Sequence, residues 1–291
     1  MRRPSTPKPA PTMSTNDLKS PSPAPREREG PGPQGWEGES SLPELPSPAS
    51  LREAFSPAER ERGFCTGLYR MLAWLSLGFP IGSFSFSHGL EAAVASGAVR
   101  DRDSLQLWLS AILASGGGRV DADILGDAHR ASSARDIRAL MEANRRGVAF
   151  RATAETRLET TAQGEAFLAT CRAAWPDPVL DCWAEGISER GKAVCYAAAV
   201  GAATAQAGIP LDCALLGYLQ ALASNLVSAG LRLGIIGQTD GQRILAALEP
   251  VIAAAVSAAL TRDPTSFGSA TFAVELASMA HETQYTRLFR S

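Results

Sequence analysis

Twelve of the 19 prolines in this chain fall within its first 48 residues, interleaved with Ser, Gly, Arg and Glu. Such a segment buries too little apolar surface to offset the entropy of ordering it. Residues 1–62 are therefore predicted to form a disordered leader, which closes on the charged run Glu59-Arg60-Glu61-Arg62. About 230 residues remain, enough for one well-buried core. There the apolar content is mostly Ala and Leu, and aromatics make up only 7% of the chain. Small and straight-chain residues suit helices in close contact, whereas a sandwich or barrel would lean on Val, Ile, Thr and Tyr. The expected fold is all-α: a single compact helical bundle over residues 63–270, with a C-terminal tail at 271–291.

Leu68, Met71, Leu72 and Leu75 recur at helical spacing, and the helix they predict stops at Gly78, ahead of Pro80. Further helices are predicted at about 87–97, 103–115, 119–143, 153–173, 189–207, 212–233 and 239–260. Ser87, Asp103 or Ser104, and Asp212 are the expected caps of three of them. Gly116-Gly117-Gly118 and Trp175-Pro176-Asp177-Pro178 break the chain. Gly201, Gly217 and Gly230 fall inside helices, where each costs about 1 kcal/mol, and so point to backbones in close approach.

A formal net charge of −2 leaves no basic stripe for nucleic acid. The five cysteines are scattered without a CxxC pair and read as reduced thiols of a cytoplasmic protein. The N-terminus has no apolar signal region. The apolar run Ile244–Leu260, interrupted by Glu249 and Pro250, falls short of the roughly 20 residues that span a bilayer, so no membrane segment is expected.

Chemistry is sparse. Gly186-Ile-Ser-Glu-Arg-Gly191-Lys192 fits a phosphate-loop pattern, but Ala193 stands where a hydroxyl must hold magnesium and no strand precedes it. His88 and Glu91 have the i, i+3 spacing of two ligands on one helical face, yet a di-metal bundle needs a second such pair. Asp123, Asp127 and His129 form a loose cluster whose last two members point to different faces. No GxSxG elbow marks a nucleophilic serine. These residues make no case for an enzyme. Glu155, Arg157, Glu159 and Gln163 on one helix read either as a solvated face or as a strip that fixes a partner's register. The tail, with Phe272, Leu276, Met279, Tyr285, Leu288 and Phe289, either packs on the protein's own core or orders on a partner. In the second reading Arg287 and Arg290 supply forked hydrogen bonds.

Four segments in order resemble the urease accessory protein UreF family: Leu75-Ser-Leu-Gly-Phe-Pro-Ile-Gly-Ser-Phe-Ser-Phe-Ser-His-Gly-Leu-Glu91, Glu155-Thr-Arg157, Gly237-Gln-Thr-Asp-Gly-Gln-Arg243 and Met279-Ala-His-Glu-Thr-Gln-Tyr-Thr-Arg-Leu-Phe289. The similarity spans residues 65–291. It implies an all-helical homodimer without a catalytic centre. Such a protein scaffolds a complex with UreD (also called UreH) and the GTPase UreG on apo-urease and couples the GTPase to nickel insertion. Nickel and GTP would be handled by that complex, with no cofactor bound stably by this chain. Partner or dimer contacts are expected at Phe84, His88, Glu91, Gln238, Asp240, Tyr285, Arg287, Leu288 and Phe289, with the tail ordering against UreD. The leader has no counterpart in the family pattern, and Ala280 stands where a basic residue is common. The alternative is a helical nickel-binding protein using His88, Glu91 and His281.

Overall fold

The computed structural model describes residues 57–191 and 193–291, with side chains from Gly63 onward. The leader expected at 1–62 thus lies outside the described residues up to Ser56, and its last six residues already belong to helix α1 (Pro57–Trp74). After a 3-10 turn at Ser83–Ser85 follow α2 (Leu90–Ala95), α3 (Arg102–Ser115), α4 (Gly117–Ser133), α5 (Ile137–Ala149) and α6 (Ala154–Ala174). Next come α7 (Pro178–Glu189), α8 (Tyr196–Gln206), α9 (Leu211–Arg232) and α10 (Gln238–Thr261). A second 3-10 turn at Pro264–Ser266 leads to α11 (Phe272–Glu282). No strand occurs among the described residues, and the fold is all-α.

Helix α8 sits at the centre because it has no polar face to show to water. Its residues Ala197 to Thr204 are all buried, with α4, α5, α6, α7 and α9 packed around it. Close approach is possible because glycine occupies the crossings. A Cβ at Gly201 would collide with the Leu125 carbonyl of α4, and one at Gly164 of α6 with the Val194 carbonyl. Four aromatics are pooled beside this centre: Trp74, Phe167, Tyr196 and Tyr218 touch in sequence, with ring centroids 6.1, 5.6 and 5.5 Å apart.

Several local expectations shift. The helix expected over 119–143 is two helices, parted where Arg135 takes a left-handed φ of 58° and the Asp136 carboxylate caps α5 by accepting the Ala139 amide at 2.9 Å. The helix expected from 189 begins only at Tyr196, and Gly186–Glu189 is helical, so no phosphate loop forms there. Asp101 caps α3 in a reciprocal box with Ser104. Asp212 lies within the first turn of α9, which Pro210 precedes as N-cap. Gly89, with φ of 77°, opens α2 in place of Ser87. Contrary to the reading of the apolar run, α9 and α10 both reach the length and hydropathy of a membrane span. They pack against each other, and over half of the apolar window of α9 is buried in the core.

Of the two readings of the tail, the structure shows the first. The segment is ordered on the chain's own core, with α11 packed on α2 and α6. Beyond it the Ser87 amide donates to the Ser291 carbonyl at 2.8 Å and the Arg290 amide to the Ser85 carbonyl at 2.7 Å.

Candidate functional site

Helix α6 starts at a capping box, in which Thr153 and Thr156 satisfy each other's amides. That start fixes the phase of the helix, so Glu155, Glu159 and Gln163 lie one above another on its buried side while Arg157 points to solvent. Three of the four residues of the charged strip are therefore buried and form no solvated face. Buried carboxylates require donors, and the tail supplies them. His281, wholly buried, places Nδ1 2.7 Å from Glu155 and Nε2 3.0 Å from Glu91. Arg287 Nη1 donates to the second Glu155 oxygen at 2.7 Å. The Leu288 and Phe289 amides donate to Glu91 at 2.7 and 2.9 Å. Burial alone would raise the Glu91 carboxyl, but these amides and His281 outweigh it and hold it below the ordinary carboxylate range.

His88 turns the other way. It precedes α2 with a left-handed φ of 55°, so it does not share a helical face with Glu91 as their spacing suggested. Its Nδ1 lies 3.3 Å from Glu159 Oε2, which also accepts from the Ser291 hydroxyl at 3.2 Å. Burial pushes the imidazole pKa down, and the Glu159 carboxylate, helped by Asp121, more than reverses this, leaving it above its ordinary value. Beyond His88 lies a second buried set that carried no signal of spacing. Arg151 donates to Asp121 at 2.7 Å, and Asp121 accepts the Tyr218 hydroxyl at 2.9 Å.

The predicted residues thus divide into three groups. His88, Glu91 and Phe289 are buried within the network, joined by Glu155, Glu159, His281 and Ser291, and Arg287 seals its edge. Phe84, Tyr285 and Leu288 stand exposed on the adjoining surface. Arg232 ties this surface together by donating to the Phe84 carbonyl and lying over the Phe289 ring at 4.3 Å. Phe272, Leu276 and Met279, also exposed, share one face of α11. Gln238 and Asp240 begin α10 away from the network, with Asp240 paired to Arg243 at 3.0 Å on its own helix.

The nickel-binding alternative does not match this geometry. Both ring nitrogens of His281 face carboxylates, and His88 belongs to Glu159. No group of three His, Cys, Asp or Glu residues is arranged to hold a metal ion among the described residues. Asp123, Asp127 and His129 each have separate partners: Arg262, Arg130 with Arg146, and the Ile209 carbonyl.

Three of the four sequence segments singled out above therefore meet at one place: the Leu75–Glu91 loop, the start of α6 and the tail. A family model described as UreF matches residues 99–249. A urease accessory protein UreF from Rhodopseudomonas palustris (strain BisB5) is 49% identical over 224 residues, covering 77% of this chain and 91% of that protein. This chain belongs to the UreF family. Proteins of the same name from Bradyrhizobium sp. strains ORS 278 and BTAi1 are each 49% identical over 224 residues, 77% of this chain and 92% of theirs. The UreF match over 99–249 spans α3 to α9 and the start of α10, the scaffold on which the Leu75–Glu91 loop and the tail are mounted.

Proposed function

We propose that this chain is a non-enzymatic scaffold of urease maturation, acting in the cytoplasm as a homodimer. It binds UreD and the GTPase UreG, holds them on apo-urease and couples nucleotide hydrolysis to nickel insertion. Nickel is cargo in this scheme, and GTP belongs to the partner. The observation that carries the reading is the exposed apolar surface of the tail, where Phe272, Leu276, Met279, Tyr285 and Leu288 face solvent over a core that holds the segment in place. Exposed aromatic and aliphatic groups gathered on one face mark an interaction surface more than a solvated one.

Arg287 is a poor probe of that surface, because it also completes the buried Glu155 site. Tyr285→Ala combined with Leu288→Asp tests the surface alone. The double variant should keep its melting temperature and lose most of its co-purification with UreD from a urease-positive lysate. Undiminished recovery of UreD would remove the tail surface from the interface.

A further inference from the structure

A cavity of about 50 Å³ lies where α6, α8 and α9 meet the loop that follows α1. Its charged walls are matched: Asp121 pairs with Arg151, and Glu159 with His88. Tyr218 of α9 gives its hydroxyl to Asp121 at 2.9 Å. Two groups beside Tyr218 are not provided for. The Tyr196 ring of α8 lies with its centroid 5.5 Å from that of Tyr218, and the Tyr196 hydroxyl has no hydrogen-bond partner among the described residues. Asn225 lies about two helical turns beyond Tyr218, so it lines the same cavity from the same side of α9. Its side chain is more than nine-tenths buried, and its Oδ1 has no partner among the described residues.

A buried polar group left unpaired costs more than its missing bond would contribute, so such groups are met by protein or by ordered water. Glu159 adds to the demand, since among the described residues its Oε1 receives only the Gln163 amide, at 3.4 Å. The unmet groups differ in kind. Asn225 Oδ1 and Glu159 Oε1 accept, whereas the Tyr196 hydroxyl can also donate. A cation would leave that phenol proton without an acceptor, and an anion would face two carboxylates. What fits is small, neutral and both donor and acceptor. A cavity needs only about 10–15 Å³ of such volume to admit one water, so this space suffices for more than one.

We propose that this cavity holds ordered water, which bridges the Tyr196 hydroxyl and the Asn225 amide and donates to Glu159. The bridge ties α9 to α6 and α8 beneath the loop, and belongs to the fold as a buried side chain does.

A crystal structure of the full chain with its ordered solvent tests the proposal. Water density should lie within hydrogen-bond reach of both the Tyr196 hydroxyl and the Asn225 side chain. Tyr196→Phe removes one oxygen and adds no bulk. Over bound water it should lower the melting temperature by about 2 °C or more, as loss of a buried hydrogen bond does. Over a dry cavity it removes an unpaired hydroxyl and leaves the melting temperature unchanged or higher. That outcome in the folded variant overturns the proposal, as does a wild-type structure with the cavity dry or with an ion in place of water.

Discussion

At the scale of single residues, Glu91 has the most consequence. Its two oxygens take two backbone amides and a histidine, so one carboxylate decides whether the last residues of the chain lie on the core. Glu91→Ala should cost about 3 kcal/mol, the usual penalty for breaking a buried charged cluster from one side. The Leu288 and Phe289 amides should then lose their protection in hydrogen exchange while the α8 amides keep theirs. The pH dependence has two arms of opposite sign. The Glu91 carboxyl is held below 4.5, so its contribution is complete above that value and is lost as pH falls through the lower folded value. The His88 imidazole is held above 6.5, so its contribution is complete below that value and is lost as pH rises through the folded one. Its charged neighbours are Glu159, Asp121 and Arg151. Thermal melts of the wild type and of His88→Asn should diverge most on the acid side of 6.5 and converge on the alkaline side.

Among the elements, the crossing of α4 and α8 sets the tolerance of the bundle. Gly201→Ala pushes a methyl into the Leu125 carbonyl and should destabilise by about 2 kcal/mol. Gly186→Ala, inside α7 and near only the flexible end of Arg190, should instead stabilise by about 0.5 kcal/mol. Chemical denaturation of the two variants reads the difference in sign. The close crossing at Gly201 was legible in the sequence because glycine inside a helix costs about 1 kcal/mol, and so was the all-α class from its Ala and Leu. Gly186 shows, however, that a helix interior also keeps glycine where little crowds it. Breaks were harder to see. Arg135 carries no mark of its left-handed turn, since that conformation is imposed by how α4 and α5 pack. The burial of Glu155 and Glu159 did leave a trace: Gln163 and Phe167 follow at the same four-residue interval, and Phe167 is wholly buried. An acidic stripe that runs on into a core phenylalanine is not a solvated face. The pairing of Arg151 with Asp121 and Tyr218 left no trace, because its members come from distant turns of the chain.

For the whole molecule, the tail is part of the fold as well as an edge of it. Deleting residues 286–291 would strip both amides from Glu91, Arg287 from Glu155 and the Ser291 hydroxyl from Glu159. Calorimetry should show a larger fall in melting temperature for this truncation than for Glu91→Ala, since three buried carboxylates lose donors at once. The exposed Gln238 and Arg243 in the first turns of α10 stand apart from this network, so changes at either should leave melting behaviour untouched within about 0.5 kcal/mol. The grip of Glu91 on Leu288 and Phe289 also bears on how quickly a partner is captured. On the surface proposed above for docking, Tyr285 and Leu288 are already in position, so encounter and recognition would merge into a single event. In stopped-flow mixing the observed rate should climb in proportion to partner concentration, with no plateau from a slower rearrangement beforehand.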